Sequence, residues 1–300
     1  MSKSRVTILL ATYNGETYLE EQLDSIANQT HQNCTIVASD DGSSDNTLSI
    51  LKHYKVVIHH SPRQGFAANF LSLIAKVEDD SAYYAFADQD DVWYPNKLAR
   101  AIDWLTTIPK ETPALYCGRT HLVDENLRSQ GHSPLFTKTP SFPNALVQNI
   151  AGGNTMVFNS ATLALLKQTL NTRIASHDWW AYLLVCGAGG QVHYDFTPYV
   201  HYRQHNANVV GSSVGFKAKL YRIRMLFKGR LRDWINLNNK GLLDASHLLT
   251  EENKYILQQF EQARQTSVIE RLIKFYKLGL YRQTIAGQLG LVLGAVFNRI

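Results

Sequence analysis

The chain has 300 residues, 45% hydrophobic and 18% charged, a globular composition that excludes disordered and fibrous classes. Its formal net charge of +5 divides unevenly: residues 1–216 hold 15 Lys/Arg against 19 Asp/Glu (−4), and residues 217–300 hold 15 against 6 (+9). Three cysteines, Cys34, Cys117 and Cys186, lie 83 and 69 residues apart, an odd count without zinc-ligand spacing that excludes a disulfide scaffold and points to a reducing compartment.

In chain order, Val6–Ala11 is a continuous apolar run that reads as a first strand, too short for a signal-peptide core. Residues 16–28 then place Tyr18, Leu19, Leu23 and Ile26 at helical spacing. Thr35–Ala38 reads as the second strand, closed by Asp40-Asp41-Gly42-Ser43, and a helix with Leu48 and Leu51 inward follows. Val56–His60 is a third strand, Phe66–Val77 a helix and Tyr83–Ala87 a fourth strand; Pro95 opens another helix where proline is tolerated. This alternation predicts a mainly parallel sheet flanked by helices, with ligands at the carboxyl ends of its strands. The middle third is less regular, with strands expected at Ala114–Gly118, Thr155–Phe158, Val192–Tyr194 and Pro198–Tyr202 and a helix over Asp178–Cys186. No stretch reaches the roughly 18 apolar residues that span a bilayer.

The polar residues fall at the predicted strand ends. Thr12, Tyr13, Asn14 and Gly15 follow the first strand, Asp40 and Asp41 the second, and Asp88, Gln89, Asp90 and Asp91 the fourth. There is neither a G-x-G-x-x-G nor a P-loop, so an acidic rim replaces a backbone phosphate cradle. Three carboxylates within four residues repel one another unless a cation sits among them, and a divalent ion held there would in turn bind phosphates.

Three ordered segments carry a resemblance: V-T-I-L-L-A-T-Y-N-G-E-T-Y-L-E-E-Q-L at 6–23, V-A-S-D-D-G-S-S-D-N-T at 37–47, and F-A-D-Q-D-D-V-W-Y-P-N-K-L at 86–98. Over about residues 5–215 the chain resembles family-two nucleotide-sugar glycosyltransferases of the GT-A fold. The D-Q-D-D-V-W form with a later Y-R-Q-H-N-x-N-x-x-G is similar to bacterial rhamnosyltransferases that build surface polysaccharides. The resemblance implies an inverting enzyme that requires Mn²⁺ or Mg²⁺. Its donor would be a nucleoside-diphosphate sugar (dTDP-rhamnose or a UDP-hexose) and its acceptor a glycan or polyprenyl-linked oligosaccharide. It implies that Asp41 reads the nucleobase and that Thr12, Tyr13 and Asn14 line the base and ribose pocket, with Arg63 and Asp88 also at the nucleotide. Asp90 becomes the principal metal ligand, joined by Asp91 and His205. Asp178 becomes the general base, with His177, Trp179, Gly152, Gly153, Asn154 and Arg203 at the sugar or acceptor and Arg203 offsetting diphosphate charge.

Plainer roles stand beside these. Asp40-Asp41-Gly42-Ser43 also reads as a turn and helix cap, Asp178 as a helix cap, and Arg63 as a solvated loop residue. A non-catalytic sugar-nucleotide or glycan binder is the alternative function; no nucleic-acid module is visible. The basic remainder, 216–300, sets Leu220, Ile223, Phe227, Leu231 and Trp234, and then Ile269, Leu272, Ile273 and Tyr276, among Lys and Arg. That pattern suits an anionic membrane surface, giving a cytoplasmic protein peripheral on the inner face of the membrane, and equally suits helices packed on the catalytic part or on a homodimer partner.

Overall fold

The computed structural model describes residues 4–205 and 229–300. The helical stripe expected at Leu220, Ile223 and Phe227, and the boundary expected near residue 215, lie outside the described residues.

The first half follows the predicted alternation: β1 (Val6–Thr12), α1 (Leu19–Ala27), β2 (Cys34–Asp40), α2 (Thr47–His53), β3 (Val57–His60), α3 (Phe66–Lys76), β4 (Tyr83–Ala87), β5 (Val92–Trp93) and α4 (Lys97–Leu105). β6 (Ala114–Gly118), β7 (His121–Val123), β8 (Ser129–His132), α5 (Phe142–Ala145), a 3₁₀ turn at Gly153–Thr155, β9 (Val157–Asn159) and α6 (Ser160–Lys167) follow. After these come α7 (His177–Gly187), β10 (Gln191–Asp195), β11 (Val200–Arg203), α8 (Arg230–Asp244), α9 (Glu251–Arg264), α10 (Val268–Lys277) and α11 (Ile285–Val296).

Seven strands form the main sheet in the order β10-β6-β9-β4-β1-β2-β3. All neighbours are parallel except β9, which runs antiparallel to both β4 and β6. The strand expected at 155–158 therefore starts later, because a 3₁₀ turn occupies its first residues. β1 is apolar at every position from Ile8 to Leu10 because both faces are covered: Leu9 joins one core with Phe86, Phe158 and α7, while Ile8 and Leu10 join another with α1 and α4. The chain reverses its direction of travel between β1 and β4, so the crevice beyond their carboxyl ends is the expected ligand position.

A second sheet, β5-β11-β7-β8, was not legible as such. β11 pairs antiparallel with β5 and parallel with β7, which carries residues 203–205 to the loop after β4.

The four C-terminal helices share a core with the sheet. Ile235, Leu242, Phe260, Phe275 and Leu291 are buried in one cluster with Leu9, Phe86 and Trp180. A Cβ on Gly241 would lie 2.4 Å from Thr172 Cγ2 and 2.9 Å from Trp180, so glycine sets the close approach of α8 to α7. The chain entering α9 caps α7: the Thr250 N–H donates to Gly187 O, and Asn253 Nδ2 to the carbonyls of Cys186 and Gly187, each at 3.0 Å. Of the stripe expected on α10, Leu272 packs inward while Ile269, Ile273 and Tyr276 face out.

Candidate active site

At the end of β1, Thr12 is buried and its hydroxyl donates to Asp40 Oδ2 (3.0 Å). Asp40 is the organiser of the β2 turn, accepting from the N–H groups of Gly42 (3.0 Å) and Ser43 (2.8 Å). Asp41 is thereby turned the other way, where Ser61 Oγ and the Gly65 N–H (3.3 Å) donate to its carboxylate. Arg63 leans over Gly42, where a Cβ would lie 2.8 Å from its Nε and where φ is +96°, so glycine is required twice over. Asn14, at φ 46°, receives Ser44 N–H on Oδ1 (2.9 Å) and donates its own N–H to Ser43 Oγ (2.8 Å), tying the first strand end to the second. Tyr13 remains 57% exposed at the mouth.

Gln89, to which the sequence reading attached no role, clamps the two loops. Its Oε1 accepts from the Tyr13 N–H (2.8 Å) and its Nε2 donates to Tyr13 O (3.0 Å). Gly15 must lack a side chain because a Cβ there would stand 2.4 Å from Gln89 Oε1.

Of the three carboxylates after β4, Asp90 meets His205, Oδ2 to Nε2 at 2.8 Å, across 115 residues of sequence. Asp91 points inward, fully buried, accepting from Asn154 Nδ2 (2.5 Å) and the Arg203 N–H (3.3 Å). Asp88 lies beside Asp90 and Asp178: burial, then the charges of those two carboxylates, raise its pKa to about 7, with Lys97 opposing. Burial, Asp90 and Asp88 likewise push Asp91 well above the usual carboxylate range. Lys97, which the sequence reading missed, is the basic group that faces them. Its ammonium is buried 3.3 Å from the centre of the Trp93 ring, forms no hydrogen bond among the described residues, and has a pKa far below the ordinary lysine value because desolvation outweighs Asp91 and Asp88. An Asp-rich loop followed by a lysine in the first turn of the next helix was its only sequence signal.

Asp178 occupies the first turn of α7, with Ser176 as N-cap; its Oδ1 accepts from Ser176 Oγ (2.5 Å) and the Trp179 N–H (2.6 Å). It is therefore not the cap itself, and its electrostatic contact with Asp88 places it on the same crevice. The 3₁₀ turn brings Gly152, Gly153 and Asn154 to the floor beside Asp91.

Four expectations are corrected. Asp91, expected to join the metal, is turned away from Asp90 and His205, 0% exposed with Asn154 Nδ2 and the Arg203 N–H on its carboxylate, so it braces the loop instead. Trp179 is only 4% exposed and its indole N–H donates to Ala145 O (2.7 Å): one helical step of about 100° beyond Asp178 turns it into the core. His177 is buried flat on Phe70, ring centres 3.7 Å apart, and edge-on to Phe86. Among the described residues neither of its nitrogens has a partner, and burial lowers its pKa to about 4, so it is a neutral wall of the core and not a polar acceptor contact. Arg203 is 1% exposed and fully engaged: Nε donates to Asp90 O (2.9 Å), Nη1 to Glu125 O (2.5 Å) and Nη2 to Glu21 Oε2 (2.5 Å), with its plane over the Tyr18 ring. It holds the Asp90 loop in place and has no face left for a diphosphate.

Among the described residues no three His, Cys, Asp or Glu side chains are grouped as a metal cage. Asp90 and His205 offer one carboxylate and one imidazole; the carboxylate suits Mn²⁺ or Mg²⁺, and the imidazole fits Mn²⁺ better than the oxygen-seeking Mg²⁺, with phosphate oxygens and water to supply the rest.

Against known proteins, residues 7–174 match the family model "Glycosyl transferase family 2". The chain is 34% identical over 267 residues to the dTDP-rhamnosyl transferase RfbG of Shigella flexneri, covering 82% of this chain and 88% of that one. It is 25% identical over 243 residues to the uncharacterized glycosyltransferase RT0329 of Rickettsia typhi, covering 76% and 71%. Among solved structures, S. aureus TarS 1-349 in complex with UDP-GlcNAc aligns over 98% of this chain and 90% of its own with a TM-score of 0.56 at 14% identity, a likeness of fold. The strand-end carboxylates, the GT-A sheet that positions them and the family match over more than half the chain lead to one conclusion: this protein is a glycosyltransferase belonging to glycosyl transferase family 2.

Proposed function

We propose that the crevice beyond β1, β2 and β4 binds a nucleoside-diphosphate sugar, dTDP-rhamnose or a UDP-hexose, and transfers the sugar with inversion to a glycan or polyprenyl-linked acceptor. What supports this is the position of Asp88, which feels the charges of both Asp178, from α7, and Asp90, the partner of His205. Asp41, held by Ser61 and Gly65, accepts a hydrogen bond from the base; Thr12, Tyr13 and Asn14 line the base and ribose, Arg63 closes over them, and Asp88 accepts from the ribose. Asp90 and His205 would hold a Mn²⁺ or Mg²⁺ ion, with Asp91 orienting the loop from below. When bound, such an ion supplies neutralisation of diphosphate charge. Asp178, kept in one rotamer by Ser176 Oγ and the Trp179 N–H, takes the proton from the acceptor hydroxyl as its oxygen attacks the anomeric carbon, and the nucleoside diphosphate leaves on the opposite side. The identity to a named dTDP-rhamnosyl transferase supports rhamnose as the first donor to test.

The experiment is a donor screen read by released nucleoside diphosphate, repeated with Asp178→Asn. The variant is expected to keep donor binding and lose transfer by a factor of about 10² or more. Normal turnover in Asp178→Asn removes that residue from the chemistry.

A further inference from the structure

We propose that the outer faces of α10 and α11 dock this protein on an anionic lipid surface. On α10, Ile269 (74% exposed), Ile273 and Tyr276 (87%) recur at intervals of four and three and so share one helical face, while Arg271 and Phe275 are buried on the opposite side. α11 has no charged residue at all; it buries Leu291, Gly294 and Ala295 and leaves Ile285 (83%) and Leu289 (60%) outside. A helix apolar all round is ordinarily enclosed by protein, and this one is enclosed on one side only.

Charge selects the occupant. Beside the buried Arg271, residues 268–300 carry Lys274, Lys277, Arg282 and Arg299 against the single acid Glu270, which is paired with Lys274 at 2.8 Å. Two such faces brought together in a dimer would oppose like charges, whereas anionic headgroups complement them and the acyl boundary takes the apolar side chains. A tyrosine beside a lysine at the outermost point of α10 is the pairing that an interface between headgroup and acyl chain favours. The 12 residues of α11 extend about 18 Å, short of a hydrocarbon core of about 30 Å, and no described helix is long and apolar enough to cross a membrane. The helix start is also anchored: the Gln283 N–H donates to Gln148 Oε1 (2.8 Å) and Asn144 Nδ2 to Tyr281 O (2.9 Å), so α11 lies along a lipid surface without leaving the fold. This docking is independent of which donor or acceptor the crevice takes.

The test is sedimentation of the full chain with vesicles of phosphatidylglycerol and phosphatidylcholine in equal parts, and with phosphatidylcholine alone, alongside light scattering of the protein in solution. Binding to the anionic vesicles only, released at high salt, is expected. Ile273→Glu with Leu289→Glu, both at exposed positions, is expected to lower binding by about tenfold or more with an unchanged melting temperature, and the separate Lys277→Glu to weaken it in the same direction. Absence of vesicle binding, equal binding to neutral vesicles, or unaltered binding by both variants overturns the proposal. A dimer that the glutamates convert to monomer, without vesicle binding in the parent, assigns the face to a second copy instead.

Discussion

Arg203→Ala separates a tether from a substrate ligand. Among the described residues the guanidinium makes three hydrogen bonds from a fully buried position, two to the carbonyls of Asp90 and Glu125 and one to Glu21. Each carbonyl left without its charged donor costs about 1–1.5 kcal/mol. The pairing with Glu21 adds only about 0.5–1 kcal/mol, because that carboxylate is 53% exposed and regains water when released. The total loss is about 2.5–4 kcal/mol, which for 300 residues at about 2.1 cal/mol/K each is a fall in Tm of about 4–6 °C. Transfer activity falls as well, since Asp90 loses the bond that fixes its backbone. Arg203→Lys rescues little, a point charge being unable to reach three acceptors set around a planar fork. The assay is a thermal melt of the ligand-free protein beside donor titration. A variant that melts like the parent yet binds donor several-fold more weakly would show that Arg203 faces the diphosphate, and would refute the tether.

Asp88 gives a pH signature. Its pKa is raised from 3.8 to about 7 in the folded protein, so its protonated form favours the fold and that contribution, complete below about pH 4, is lost as pH rises through 7. The permanently neutral Asp88→Asn is therefore expected to melt higher than the parent above pH 7 and alike near pH 4; parallel melting curves across that window would count against the shift. Gly153→Ala would place a Cβ 2.2 Å from His177 Nε2 and is expected to cost about 1–3 kcal/mol by overpacking, measured by urea unfolding. His177→Phe keeps the aromatic stack while removing two unpartnered nitrogens, so it should unfold at the same or slightly higher urea, and a large loss of stability would mean the imidazole has a polar task. Deleting residues 229–300 strips Ile235, Leu242 and Phe260 from the shared core and uncaps α7, so the remainder is expected to aggregate; a soluble, cooperatively melting fragment would establish the front part as a domain of its own.

The alternation of β1 through α4 was readable because its residues obey local rules. Apolar runs of strand length, helical periodicity and turn residues at the strand ends all act within a few residues of one another. The resemblance extended that reading to Asp41, Asp90 and Asp178, whose motifs are contiguous. Residues one step along a motif were harder. Asp178 and Trp179 are neighbours in sequence, yet helix geometry sends one to the crevice and the other into the core. Arg203 looks like a phosphate ligand in any sequence, and only its burial against Asp90, Glu125 and Glu21 makes it a tether.

What the sequence by itself determined is the strand–helix alternation of the first hundred residues, the acidic strand ends and the family. Tertiary structure alone decided which charges meet. Asp90 finds His205 because two short strands, β5 and β11, pair antiparallel across more than a hundred residues, and a two-residue strand carries no periodic signal to announce itself. Lys97 faces Asp88 and Asp91 because α4 starts beneath their loop. The basic C-terminal helices share the hydrophobic core of the sheet for the same reason: periodicity marks which side of a helix is apolar, but what covers that side depends on packing partners far away in the chain.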